Sequence, residues 1–149
     1  MAELTQTPSE FHWRCRPTWV ASAKNTAWCL LGCAIGDFGT IAAFQIWAPA
    51  TNPFLIMGLA MVMGLLTSIA LETVLLSRSM AFNAAIKTAL GMSLISMISM
   101  EAAMNLTDYL IVGRAALTPY SILPSLAMGF LTPWPYNYWR LKKHGAACH

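Results

Sequence analysis

The sequence predicts an all-α membrane protein, a four-transmembrane-helix bundle with both termini cytoplasmic. Three observations predict it. Of 149 residues, 57% are hydrophobic and only 10% are charged, with a mean hydropathy of +0.56. A soluble domain carries roughly 25% charged residues. The apolar residues gather in four stretches divided by short polar, Pro- or Gly-containing breaks, and the basic residues crowd to one side of those stretches. The length suits one compact bundle.

Residues 1–23 read as an N-terminal tail. Phe11, Trp13 and Trp19 suit the headgroup level, where aromatic rings are favoured. Glu3, Pro8, Glu10 and Pro17 interrupt the first twenty residues, which hold no apolar core of a cleaved signal. The spans themselves are therefore expected to drive insertion. The membrane domain is expected over 24–140. Its first span, about 26–47, starts at Asn25 or Thr26, and Pro49, Asn52 and Pro53 break the chain after it. The second covers about 54–76. Ser77, Arg78 and Ser79 follow it, and Asn83 is the expected cap of the next helix. The third covers about 84–112, ended by Gly113 and Arg114. It exceeds the ~20 residues that ~30 Å of hydrocarbon requires, so it should tilt or project. Thr118 and Pro119 fit a cap and a first helical residue for the fourth span, about 120–139. Pro133 and Pro135 should kink or fray its end. Residues 141–149 form a cytoplasmic tail. No internal repeat or low-complexity segment is visible.

Orientation follows from the basic residues. Arg14, Arg16, Lys24, Arg78, Lys87, Arg140, Lys142 and Lys143 fall on one side; Arg114 alone, of nine, falls on the other. That is a positive-inside pattern. It predicts a multi-pass membrane protein with both termini on the cytoplasmic side and the lipid bilayer as its first partner. The net charge of +3 is small and shows no nucleic-acid pattern.

Four of the six acidic residues, Asp37, Glu72, Glu101 and Asp108, lie within or at the edges of spans. An acid near the bilayer centre costs about 2.5–3.5 kcal/mol even on lenient insertion scales. No Lys or Arg lies deep in a span to pair with them. They can hold a proton, share hydrogen bonds with Ser, Thr and Asn, or bind a cation; each option puts them inside the bundle. At 100° per residue, Cys29, Cys33 and Asp37 form one stripe with Thr26 and Thr40. Met57, Met61, Ser68 and Glu72 share a face of the second span. Met97, Glu101, Met104, Asn105 and Asp108 share an arc of the third, and Asn137 stands near the cytoplasmic end of the fourth. Cys29, Glu72 and Asn137 belong to the cytoplasmic half, Asp37 and Glu101 to the middle, Asp108 to the outer side.

A packing account stands beside this one. Gly32 and Gly36 form a G-x-x-x-G pair with Gly39 near, and small residues let helices approach closely. Cys29 and Cys33 fit either packing or ligation. Ten Met residues fit ordinary core filling. The four cysteines, Cys15, Cys29, Cys33 and Cys148, make no secreted disulfide pattern. His144, Cys148 and His149 in the tail, with His12 and Cys15 on the same face, are donors that suit copper(I) or zinc, although their spacing matches no closed zinc site. No His lies within a span, so haem ligated inside the bundle is not expected. Phosphate-loop, dinucleotide and serine-hydrolase motifs are absent.

Asn25-Thr26, Cys29 and Gly32 to Asp37, with Glu101, Asn105, Pro135, Asn137, Trp139 and the segment Gly145 to His149, resemble a bacterial membrane family known only as domain of unknown function 4396. The resemblance covers most of the chain from Asn25 on. It implies a four-span bundle and, by naming and fusion, an association with copper oxidases. Members often carry a His where this chain has Trp28, so an imidazole is missing from the motif here.

The residues together predict a small membrane protein that binds or moves a cation, with copper(I) as the first candidate and zinc as the second. Cys29, Cys33, Asp37, Glu101 and Asp108 are the expected ligands, supported by Glu72, Asn105, His144, Cys148 and His149. Four spans are few for a pathway, so a homo-oligomer or a larger membrane complex is expected. The alternative is a non-catalytic structural or accessory subunit that docks a larger complex through its Gly-rich faces. An enzyme ranks last, because no nucleophile–base pair can be named.

Overall fold

Five helices make up the computed structural model: α1 (Arg16–Trp47), α2 (Pro53–Leu76), α3 (Phe82–Val112), α4 (Pro119–Leu131) and α5 (Trp134–Lys143). The structure describes residues 13–114 and 116–143, without the side chains of Met92, Ser93, Lys142 and Lys143. No strand occurs among the described residues. Two helices, α1 and α2, are long and apolar enough to cross a membrane, and α3 makes a third if its two halves, bent by 55° between Gly91 and Leu94, are one span.

Helix α1 starts ten residues ahead of the expected first span. Pro17 sits in its first turn, where a missing N–H costs nothing. The added turns lie against α5, so much of the expected N-terminal tail is part of the bundle. Asn52 caps α2 by accepting from the Phe54 N–H at 2.9 Å. The cap of α3 is Ala81, whose side chain makes no capping bond; Asn83, the expected cap, is already helical. Gly113 ends α3 at φ 75°, the left-handed conformation that glycine tolerates best. At the start of α4 the Thr118 N–H donates to Ser121 Oγ at 3.3 Å. The expected fourth span is divided at Thr132 and Pro133 into α4 and α5, since a proline removes an amide donor and crowds the preceding turn.

The helices pack with their polar residues inside. Ser22, Thr26, Asp37, Ser68, Glu101, Asn105, Asp108, Ser121 and Asn137 are buried, while Trp28, Ile35, Phe54, Val62, Leu66, Leu110 and Leu123 are exposed. That inverts the arrangement of a soluble protein and suits apolar surroundings. The α1–α2 contact is the closest. A Cβ on Gly32 would strike the Ser68 backbone, and one on Gly36 would strike Met63 O and Thr67 Oγ1. Thr67 Oγ1 donates to Gly32 O at 2.6 Å, and Ser68 Oγ to Cys29 O at 3.1 Å. The inward stripe of α2 is Ile56, Ala60, Gly64 and Ser68. Met57 and Met61, expected there, are only half-buried, because the tight approach of α1 selects small side chains.

At the basic end, an aromatic stack ties the start of α1 to α5. Tyr138 is fully buried, stacked on Trp19 at 4.1 Å and on Trp13 at 5.2 Å between ring centroids, and its hydroxyl accepts from the Cys15 N–H at 3.2 Å. Asn137 Nδ2 donates to Thr26 Oγ1 at 2.7 Å. Beyond the break at Pro133, α5 thus packs against the first turns of α1.

Candidate functional site

The predicted site residues of α1 and α3 meet in the bundle interior. Along α1, Thr26, Cys29, Cys33 and Asp37 are buried at three- and four-residue steps; Thr40 is only half-buried, and Ile41 takes the next inward position. Along α3, Met97, Met100, Glu101, Met104, Asn105 and Asp108 are all buried. The contact between the helices therefore joins two unlike groups of donors.

The first group is sulfur. Cys29, Cys33, Met97, Met100 and Met104 form one buried cluster, walled by Leu30, Ala34, Phe38, Leu65, Ile69 and Leu126. Cys29 and Cys33 are free thiols. Cys29 Sγ lies 3.5 Å from Ser68 Oγ. Because the Ser68 hydroxyl gives its single hydrogen to Cys29 O, the thiol is the donor in that contact.

The second group is oxygen. Asn105 Nδ2 donates to Asp37 Oδ1 at 2.8 Å and to Glu101 O at 3.0 Å. Both amide hydrogens are then used, and Asn105 Oδ1 has no partner. Glu101 is fully buried, and neither carboxyl oxygen has a hydrogen-bond partner. Asp37, Cys33 and Cys29 are close enough to act on it electrostatically, but none forms a hydrogen bond of good geometry with it. Asp108, also buried, has one unpartnered oxygen and stands near Ser121 on α4 and near Asp37. Asp37 and the Glu101 backbone carbonyl thus share a single amide donor, while oxygens of Glu101, Asn105 and Asp108 have no partner. Buried polar atoms without partners cost free energy, so this group of oxygens is a costly one for the fold.

Gly64 makes the pocket possible. A Cβ at this position would overlap the Glu101 carboxyl. The acid occupies the space that the missing side chain leaves on the α2 face. Gly129 does the same on α4, where a Cβ would meet the Met104 side chain. Neither glycine, nor Met100, nor Tyr138 was marked by the sequence reading. Spacing four residues apart from Ala60 and Ser68 is the signal that would have found Gly64.

Glu72 stands apart, half-buried on α2 near the basic end, beside Cys29 and away from the acid group. Arg140, expected only as a charge that sets orientation, is buried as well. Its Nε and Nη1 have no partner, and its charge acts on Cys29. His12, His144, Cys148 and His149 lie outside the described residues. Among those described, no group of three or more His, Cys, Asp or Glu side chains is arranged to hold a metal ion. Cys29 and Cys33 with the thioethers, and Asp37 with Glu101, come together as pairs.

Residues 18–146 match the family described as "Domain of unknown function (DUF4396)". The chain belongs to that family. The match takes in α2 to α5, all of α1 but its first two residues, and both donor groups. No curated protein and no solved structure matches the chain.

Proposed function

We propose that the chain is a four-span protein of the bacterial inner membrane, with both termini cytoplasmic, that binds or moves a cation through its bundle interior. Helix α4 alone, about 20 Å long at 1.5 Å per residue, falls short of ~30 Å of hydrocarbon. In this reading α5 continues the crossing beyond Pro133 and completes the fourth span.

The observation that carries the proposal is the Glu101 carboxyl, fully buried and without a hydrogen-bond partner, against Asp37 and Cys33. A proton or a metal cation would give those carboxyl oxygens a partner. Copper(I) is the metal the donors favour. Thiol and thioether sulfur select soft monovalent copper, and five buried sulfurs border the acid pair. Zinc fits less well, since its tetrahedral sites are built from thiolate, imidazole or carboxylate donors, and no three such side chains come together among the described residues. A homo-oligomer or a larger assembly would give so few spans a complete path.

Metal content tests the proposal. Purified protein is loaded with Cu(I) or Ag(I) under reducing conditions, freed of excess by gel filtration, and its metal is counted. Wild type should hold about one ion per chain, and the Cys29→Ala/Cys33→Ala variant should hold several-fold less. Equal, negligible metal in both proteins sinks the metal reading.

The accessory-subunit reading has one observation to weigh. The glycines expected to dock a partner, Gly32 and Gly36, are consumed by the internal contact with α2. Gly39, Gly58 and Gly91 open to the outside and are left for such a surface. Co-purification at fixed stoichiometry with a larger membrane partner is the result that would favour it.

A further inference from the structure

The buried sulfur cluster is not sealed on all sides. A cleft of about 110 Å³ lies between α1 and α2 at the basic end, lined by Asn25, Trp28, Cys29 and, across from them, Leu71, Glu72 and Leu75. Its position follows from how the two helices pack. They are pinned together at Gly32 and Gly36, where no side chain separates the backbones. One turn nearer the basic end the facing residues are larger, and the pair no longer closes. The floor of the cleft is the Cys29 thiol, held 3.5 Å from Ser68 Oγ. Beyond that floor stands Cys33, which has no exposed surface; Cys29 retains 8%. The order of access is therefore cleft, Cys29, Cys33, and then Glu101 with Asp37.

We propose that this cleft is the mouth of the cation site, where a soft monovalent cation is first captured by the Cys29 thiol with the Glu72 carboxyl alongside. The inference rests on the cation-binding reading given above and adds to it the point and order of entry. The cleft has room for several waters, enough for an incoming ion to keep part of its shell until sulfur replaces it. Cys29 lies one helical turn inside the expected start of the first span, about 5 Å along the axis, so an ion reaches it without crossing the hydrocarbon. Capture breaks the S–H bond and forms a sulfur–metal bond; the proton leaves to water in the cleft. Charge balances there. The thiolate and a monovalent cation make a neutral pair, and Glu72 and Arg140, the charged groups that act on Cys29, offset one another. A divalent ion would leave an uncompensated positive charge at this apolar depth. Trp28, half-exposed beside Cys29, forms one jamb of the cleft.

The test uses the full chain in detergent, Ag(I) as the probe, and mass-spectrometric mapping of alkylation at each cysteine. In wild type, N-ethylmaleimide should modify Cys29 at least tenfold faster than Cys33, and bound Ag(I) should protect both. Leu75→Trp, which fills the cleft from the α2 side, should slow both Cys29 alkylation and Ag(I) uptake at least fivefold. The amount of Ag(I) bound at equilibrium should not change. Trp28→Ala, which widens the cleft, should speed both, and this opposite sign guards against Leu75→Trp acting only by loosening the fold. Glu72→Gln should slow Ag(I) uptake without slowing alkylation, because the neutral reagent needs no carboxylate. If Leu75→Trp and Trp28→Ala leave the uptake rate unchanged while binding persists, the ion enters elsewhere and the port is wrong, although the site stands. If wild type binds no Ag(I) at all, the site fails and takes the port with it.

Discussion

Two contacts of α1 differ in kind. Against α2 it is pinned by glycines, and Thr67 and Ser68 hydroxyls bond to the Gly32 and Cys29 carbonyls across the interface. Against α3 it brings Asp37, Cys29 and Cys33 to Glu101, Asn105 and three methionines, and several oxygens are left without donors. The first contact is what close packing of membrane helices asks for. The second spends stability, since buried acids without partners are costly. For stability alone, an apolar residue at Glu101 would cost less than a buried carboxyl without a hydrogen-bond partner. The comparison separates a contact that supports the bundle from one that the bundle supports.

The strongest way to break the first contact is Gly36→Leu. Its side chain would meet the Met63 carbonyl and Thr67, a backbone obstacle that cannot swing aside. Overpacking typically costs 1–3 kcal/mol, occasionally more, and this position should lie at or above about 3 kcal/mol. Thermal unfolding should show the variant melting far below wild type or failing to accumulate. Gly39→Ala, three residues along the same helix, meets open space. It should raise stability by up to about 1 kcal/mol through helix propensity. A Gly36→Leu protein as stable as wild type would show that the glycine pair is not the pin.

Within the second contact, Asn105→Ala removes the one amide that serves Asp37 and the Glu101 carbonyl. Stripping a buried acceptor of its donor costs about 1–3 kcal/mol, and the loss of stability should fall in that range. Glu101→Gln should move the other way. The amide brings hydrogens to a pocket that has too few, so unfolding should rise by roughly 1 kcal/mol, about 2–4 °C for a chain of this size. Loaded Ag(I) should fall at the same time. A variant that is more stable and holds less metal is the signature of a residue kept for function. Lower stability with unchanged metal would place Glu101 in the supporting role instead.

Much of this division was legible in the sequence. The stripe of Thr26, Cys29, Cys33 and Asp37 and the arc from Met97 to Asp108 follow from helical periodicity alone, and both are buried as expected. Acids in an apolar span have nowhere else to go, so their inward direction is dictated by transfer cost. The α2 face was misread because periodicity alone does not say which of two neighbouring stripes turns inward. Met57 and Met61 were expected on the inward face, yet the pinned glycines require Ala60, Gly64 and Ser68 opposite them. The early start of α1 was missed for a related reason. A polar, Trp-rich segment reads as a tail until α5 supplies Tyr138 and Trp134 to stack on it. That partner lies more than a hundred residues away and depends on the break at Pro133. The cleft at Cys29 was likewise invisible, since it is defined by where two distant helices stop touching.

The smallest expected effect probes the place where the two contacts join. Ser68 belongs to the α1–α2 interface, yet its hydroxyl holds the Cys29 thiol at the floor of the cleft. Ser68→Ala removes one interhelical hydrogen bond, which inside a membrane averages about 0.6 kcal/mol. The Cys29 carbonyl keeps its bond within α1, so no buried acceptor is stranded, and unfolding should shift by only a degree or two. The thiol, however, loses its acceptor and is free to turn toward the cleft. Cys29 alkylation should therefore rise two- to threefold while stability barely moves. A large drop in stability with no change in alkylation would mean that Ser68 serves the packing contact alone and that the thiol is positioned by its neighbours on α3.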